Sequence, residues 1–285
     1  MANPFVSVVV PHRGNAADLE RCLLALGDQT YPQENFEVIV VVGESAAEDT
    51  EALFHGNIQR ISRQKNTVYA ARNDGIRRAR GTIIALTDSD AIPDSDWLER
   101  SVEVVGDKEI IVAGRITLMF SSPDLSPAAC YEKLFSFDQE KNARSGRSVT
   151  ANLITTKSLF SNYGYFREDA VTGEDFRWSQ QLVSRGVPIV FSELAGVTHP
   201  ARETALALLR KSWRDSFSWR PQLRPKDRIV RGYRFWKERY LTLPSSSRLR
   251  SCGTRELFLA LIMSQAVQSI KFLGFMLGMM KSRKH

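Results

Sequence analysis

The chain has 285 residues, of which 43% are hydrophobic, 25% charged and 9% aromatic. This is globular usage, long enough for one large domain or a domain with an appendage, and it excludes disordered, collagen-like and coiled-coil classes. The net charge of +7 is unevenly spread: Arg210–His285 holds 18 Lys+Arg against 4 Asp+Glu, leaving 21 against 28 in the rest. A basic tail on an acidic body fits a polyanionic partner such as phosphates, anionic lipid or nucleic acid. Cys22, Cys130 and Cys252 are scattered, with no CxxC pair, so neither a disulfide framework nor a cysteine zinc site is expected. No basic leader precedes the short apolar run Phe5–Val10, so a cytoplasmic start is expected.

Strand and helix patterns alternate through the first 120 residues. Val6–Val10 reads as a buried strand ending at Pro11. Ala16–Leu26 spaces Leu19, Leu23 and Leu26 on one helical face, with Cys22 between them. Phe36–Val42 and Ile58–Ile61 read as strands, with a helix over Glu48–Phe54 between them. Thr67–Ala79 reads as a helix, Ile83–Leu86 as a strand, Asp96–Val105 as a helix and Ile110–Ile116 as a strand. Residues 121–150 look like a loop or short helix. Thr150–Ser158 and Gly164–Arg167 read as strand and turn, Glu174–Arg185 as a helix, and Pro188–Phe191 as a strand leading to His199. Such alternation predicts an α/β fold: an open, mostly parallel, Rossmann-like sheet flanked by helices, with ligands at the carboxyl ends of its strands. Those ends are Pro11–Gly14, Gly43–Ser45, Arg63–Asn66 and Asp88–Asp90.

Asp88-Ser89-Asp90 directly follows an apolar strand. Two carboxylates at i and i+2 can converge on a hard cation such as Mg²⁺ or Mn²⁺, which a diphosphate ligand needs for charge neutralisation. The same pattern also serves as a solvated turn or a helix cap. Glu174-Asp175 opens a helix after Gly173. Carboxylates there are either capping groups or a general base aimed at a hydroxyl. His199 is a candidate third metal ligand or a plain core histidine. Arg72 on the Thr67–Ala79 helix either braces a diphosphate, orients the aspartates or lies on a solvated face.

In order along the chain, Val6–Pro11, Glu37–Val41, Ala71-Arg72-Asn73-Asp74-Gly75-Ile76, Asp88-Ser89-Asp90, Trp97-Leu98, Gly173-Glu174-Asp175 and His199 together resemble the family 2 glycosyltransferases of GT-A fold. The resemblance covers about residues 5–200. It implies a nucleotide-sugar donor, a divalent metal (Mn²⁺ or Mg²⁺) and inversion at the anomeric carbon. It assigns Asp90, Asp88 and His199 to the metal, Asp175 to the catalytic base and Glu174 to the acceptor site beside it. Pro11, Arg13, Glu44, Arg72, Asp88 and Ser89 fall to the donor. The family's aspartates after the second strand are replaced here by Gly43-Glu44-Ser45, and its Thr-Tyr-Asn after the first by His12-Arg13-Gly14. Both departures lie where the nucleotide base and ribose would bind, so UDP is the default nucleotide and GDP an alternative.

On this reading residues 1–200 form the glycosyltransferase domain, with a nucleotide-binding half to about 120 and an acceptor half over 121–200. Residues 201–285 form a basic, amphipathic helical extension. Within it, Glu256–Met280 is apolar apart from Gln265, Gln268 and Lys271, whose spacing of three predicts one polar stripe. A mid-segment lysine costs roughly 2.5–3.5 kcal/mol on insertion. The segment therefore reads as an interfacial or docked helix, or as a core helix closing the domain. The terminal Lys281–His285 would attract anionic head groups at about 1 kcal/mol per basic residue. Trp213, Trp219, Trp236, Tyr233 and Tyr240 among these cations suit a membrane interface, a lipid-linked glycan acceptor or nucleic acid. Lys211, Arg214 and Arg220 are candidates to close over the donor diphosphate. The function expected is sugar transfer to a hydroxyl acceptor in glycan, exopolysaccharide or envelope-precursor synthesis, peripheral on the inner face of the cell membrane. The alternatives are a nucleic-acid-binding protein, or a nucleotidyltransferase, for which His12-Arg13-Gly14 is a poor phosphate loop.

Overall fold

The computed structural model describes residues 3–43, 57–63, 67–216 and 244–281, with side chains to 277. The segment Glu48–Phe54, Glu44 and residues 217–243, with Trp219, Arg220, Tyr233, Trp236 and Tyr240, lie outside the described residues. The chain divides into two compact units. The first comprises Met1–Thr117, Phe137–Ala170 and Glu174–Pro200; the second comprises Leu118–Ser136, Val171–Gly173 and Ala201–His285.

The first unit is built on an eight-stranded sheet of order β3-β2-β1-β4-β7-β6-β8-β5. These strands are β1 (Val6–His12), β2 (Phe36–Gly43), β3 (Ile58–Arg63), β4 (Ile83–Thr87), β5 (Ile92–Pro93), β6 (Ile111–Met119), β7 (Asn152–Thr156) and β8 (Ile189–Pro200). From β3 to β4 the sheet is parallel, with Val9 opposite both Ile39 and Leu86. β7 then joins β4 and β6 antiparallel. β8 runs through His199, which therefore lies within a strand and not after one; its Thr198 sits opposite Ile92 of β5.

Alternation along β1 sorts the core into two layers. Val6, Val8 and Val10 pack with Leu19, Cys22, Leu23 and Leu26 of α1 (Ala16–Gly27) and with Trp97 and Leu98 of α3 (Trp97–Val105). Val9 faces the other way, toward Tyr69 and Ile76 of α2 (Val68–Arg78). That layer also holds Phe160 of α6 (Lys157–Tyr163) and Trp178 of α7 (Glu174–Val183), whose rings stack at 4.5 Å. Valine side chains fit a pleated sheet buried on both faces, and each buried one contributes about 1.5–3 kcal/mol.

Helix ends follow local chemistry. Asn15 accepts from Ala17 N (3.1 Å) to start α1, and Thr67 accepts from Ala70 N (3.2 Å) to start α2. Gly75 lets α2 lie close on the sheet: a Cβ there would overlap the Val9 side chain and come within 3.3 Å of Val41. Since α2 carries Tyr69 and Arg72, this close approach sets the depth of the site. Asn152 of β7 donates to Arg115 O (2.8 Å) and Ala195 O (2.9 Å) and accepts from Trp97 Nε1 (3.0 Å), tying β8 into the sheet.

Gly164–Arg167 lies outside the strands, in keeping with the turn expected there; Asn73 pairs through its amide with Phe166 N (3.2 Å) and O (2.8 Å), satisfying that backbone without a ladder. The loop or single short helix expected earlier in the chain falls short. Residues 121–150 hold two helices, α4 (Pro127–Phe135) and α5 (Gln139–Arg144), started by Ser126 and Asp138 as N-caps. The first of these belongs to the second unit.

In the second unit α4 packs with α8 (Ala205–Ser216), a short α9 (Ser246–Arg250) and the long α10 (Thr254–Lys281). Leu125, Ala129, Cys130 and Leu134 meet Ala260; Ala128, Tyr131 and Leu208 meet Met263 and Val267. Among the described residues α10 alone is long and apolar enough to cross a membrane by length and composition. The single polar stripe expected on it does not form. Residues three apart step about 60° around a helix, so Gln265 lies on the exposed side while Gln268 and Lys271 rotate to half-buried positions.

Candidate active site

The parallel strands end at one edge, and the chemistry collects there. Asp88, Ser89 and Asp90 follow β4 directly and are all half-buried. β8 brings in His199, 3% exposed, whose Nε2 lies 3.3 Å from Asp90 Oδ1 and 3.8 Å from Asp88 Oδ2. One ligand atom from each of the three lies within 4.8 Å of the others. His199 Nδ1 is 2.9 Å from Pro200 O. With Nδ1–H donating to that carbonyl, the Nε2 lone pair faces the aspartates, the tautomer a metal-binding histidine needs. Two carboxylates and an imidazole converging this way form a donor set that fits a divalent cation.

The electrostatics agree. Burial works against ionised Asp88, but the charges of Arg72 and His199 outweigh it and hold the carboxyl at about 2. Burial also favours neutral His199, yet the Asp88 and Asp90 carboxylates beside it reverse this and raise it to about 10.

From this cluster a chain of contacts runs to the second acidic pair. Arg72, buried on α2, pairs with Asp88. Its guanidinium stands 5.7 Å from the ring centroid of Tyr69, one helical turn earlier. The Tyr69 hydroxyl donates to Asp175 Oδ1 at 3.0 Å and accepts from Glu174 N at 3.1 Å. Burial and the Asp175 charge push the phenol well above its ordinary value, so the proton stays on Tyr69 and the bond runs toward the carboxylate. Asp175 also accepts from Phe176 N (2.9 Å) and, weakly, from Thr150 N (3.4 Å). Burial nonetheless raises it above the ordinary carboxylate value, with Arg72 opposing. Asp88, Asp90, His199, Arg72 and Asp175 therefore belong to one continuous constellation.

Glu174 has a different place from the acceptor-shaping one expected. Its carboxylate is fully buried, accepting from Arg167 N (2.9 Å) and Nε (3.2 Å) and from Arg177 Nε (2.7 Å). Every oxygen is committed to holding the start of α7, so the residue positions Asp175 through the backbone. Arg72 is committed to Asp88, the aspartate it pairs with. Pro11 sits half-buried at the end of β1, and Arg13 is exposed just beyond it. His12 between them is buried, and both its ring nitrogens lack hydrogen-bond partners among the described residues. Burial lowers its pKa, against the pull of Asp18. In the second unit Lys211 is engaged by Asp215 at 2.8 Å.

Two site residues carried no expectation. Tyr69 had a legible signal, an aromatic three residues before Arg72 on the same helical face. Phe137 had none: its ring packs against His199 at 4.7 Å, and it is the sole described non-glycine residue with positive φ (54°).

The fold that carries this acidic constellation is shared with known glycosyltransferases. The model of glycosyl transferase family 2 matches residues 7–162. Glycosyltransferase AglE of Haloferax volcanii is 32% identical over 220 residues, covering 74% of this chain and 71% of its own. A Methanococcus voltae dolichyl N-acetyl-α-D-glucosaminyl phosphate 3-β-D-2,3-diacetamido-2,3-dideoxy-β-D-glucuronosyltransferase is 22% identical over 200 residues, covering 64% of this chain and 62% of its own. The mannosyltransferase PcManGT from Pyrobaculum calidifontis, solved with GDP-Man and Mn²⁺, matches with TM-score 0.58 at 17% identity, over 93% of this chain and 74% of that one. The chain belongs to glycosyl transferase family 2. It is a glycosyltransferase of GT-A fold.

Proposed function

We propose that this enzyme moves a sugar from a nucleoside-diphosphate sugar to an acceptor hydroxyl with inversion, in glycan, exopolysaccharide or cell-envelope precursor synthesis. The observation that carries the reading is the unbroken link from Asp90–His199–Asp88 through Arg72 and Tyr69 to Asp175. It supports a donor diphosphate and an acceptor hydroxyl meeting in one cleft.

Asp90, Asp88 and His199 would hold a Mn²⁺ or Mg²⁺ ion, which when bound neutralises charge growing on the leaving diphosphate. Arg72 keeps Asp88 ionised and fixed. Tyr69 and Phe176 N hold Asp175 Oδ1, and Oδ2, with only the weak bond from Thr150 N, is the oxygen to take the acceptor proton. As the acceptor oxygen bonds to the anomeric carbon, the bond from that carbon to the diphosphate breaks on the opposite side, which inverts the centre. Pro11, Arg13, Ser89 and Glu44 are assigned to the nucleotide side. UDP is the first donor to test. GDP stands beside it, because the neighbouring mannosyltransferase was solved with GDP-Man. A lipid-linked acceptor is favoured by the dolichyl phosphate in the name of the Methanococcus relative. It suits a protein peripheral on the cytoplasmic face of the cell membrane.

The test is a panel of nucleotide sugars with Mn²⁺ or Mg²⁺, read by release of nucleoside diphosphate. Asp175→Asn should lower turnover by at least about 10² while calorimetric donor binding persists, and His199→Ala should weaken Mn²⁺ binding measured directly. Normal turnover by Asp175→Asn would overturn the base assignment. Release of pyrophosphate in place of nucleoside diphosphate would favour a nucleotidyltransferase. The family assignment leaves no support for the nucleic-acid reading.

A further inference from the structure

The outer face of α10 is a feature that the catalytic reading leaves unused. Its inner face is buried through Ala260, Met263, Val267 and Phe275, and the first three pack in the second unit's core. Phe258, Leu261, Ile262, Phe272 and Leu273 point outward, 38–64% exposed. At about 100° per residue these five fall within a single arc of roughly 120°. Only Gln265 and Ser269 interrupt it. Contiguous exposed apolar surface of this kind marks an interaction site.

Two occupants compete, a lipid surface and a second copy of this chain. Charge decides between them. Arg250, Arg255, Arg210 and Arg214 are exposed on α9, α10 and α8, and the sequence from Arg210 onward carries 18 basic against 4 acidic residues. Two copies meeting through this unit would bring like charges together, whereas anionic head groups complement them. The mode of contact follows from how α10 is held. Its start is tied to α4 by Lys133–Glu256 at 2.7 Å, and Lys271 near its end acts electrostatically on Asp215 of α8. A spanning helix would break both ties and take these charges into hydrocarbon. A helix lying in the interface plane keeps them.

We propose that α10 lies flat on an anionic bilayer, with Phe258, Leu261, Ile262, Phe272 and Leu273 inserted at the boundary of head groups and acyl chains. This specifies the surface behind the peripheral location given above, yet it needs neither donor nor metal, so its failure and that of the transfer reading are separable. The full chain should co-sediment with phosphatidylcholine vesicles containing phosphatidylserine, and at least about tenfold less with phosphatidylcholine alone. The double variant Leu261→Glu/Leu273→Glu should lose vesicle binding by at least about tenfold while melting at the wild-type temperature, since both side chains are exposed. If the variant fails to fold, Phe258→Ser/Phe272→Ser serves as the second measurement with the same expectation. Folded variants that sediment like wild type would overturn the proposal. So would a wild-type chain that ignores anionic vesicles and instead forms a concentration-dependent dimer in light scattering.

Discussion

Replacing Arg72 by methionine isolates the ion pair at the centre of the site. Arg72 is 3% exposed, and its partner Asp88 has a side chain 29% exposed, so solvent screens the pair only in part. Holding the Asp88 carboxyl at about 2 in place of its ordinary 3.8 corresponds to about 2.5 kcal/mol of stability at neutral pH, at 1.36 kcal/mol per pH unit. Arg72 is the largest of the groups that lower the Asp88 value, ahead of His199. Because the folded value is depressed, this contribution is present above pH 3.8, where the unfolded carboxyl is ionised, and is lost as pH falls through about 2. The assay is urea unfolding of wild type, Arg72→Met, Asp88→Asn and the double variant, with chelator present. The double-mutant cycle should return a coupling of about 2 kcal/mol at pH 7 that shrinks toward pH 3. A coupling near zero, or one independent of pH, would mean that Arg72 acts by packing alone.

Two further outcomes follow from the same geometry. Tyr69→Phe removes a hydrogen bond that lowers the Asp175 pKa, so the acid limb of the kcat profile, already above the ordinary Asp value, should move to higher pH. An unchanged limb with reduced kcat would assign Tyr69 to packing. Phe137→Gly relieves a left-handed backbone but removes the ring beside His199. Protein stability should fall by less than the 3–5 kcal/mol typical of a Phe truncation. Mn²⁺ affinity, followed by electron paramagnetic resonance, should still drop several-fold. Unaltered affinity would show that the ring does not hold the imidazole in place.

Much of the first 120 residues was legible from local pattern. β-branched runs give strands, three-and-four spacing gives α1 and α2, and an acidic turn after a buried strand marks a site, because each signal depends on neighbours a few residues away. The turn at Gly164–Arg167 was legible, but not that its backbone is satisfied by Asn73, a side chain more than ninety positions earlier. The polar stripe on α10 misled because equal spacing in sequence is a spiral on a helix, and only packing against α4 and α8 decides which side is covered.

The sequence by itself determined the residue types able to do the chemistry: two carboxylates after β4, a second pair opening α7, and a histidine downstream. Only the tertiary structure decided which of them meet. Asp88 and Asp175 are 87 positions apart, and no local rule brings them together. Close packing of α2 on the sheet at Gly75 does so, with Arg72 and Tyr69 as the bridge. The same packing sorts the adjacent carboxylates Glu174 and Asp175, whose side chains leave the backbone in different directions. One is consumed by Arg167 and Arg177, and the other is presented to Tyr69.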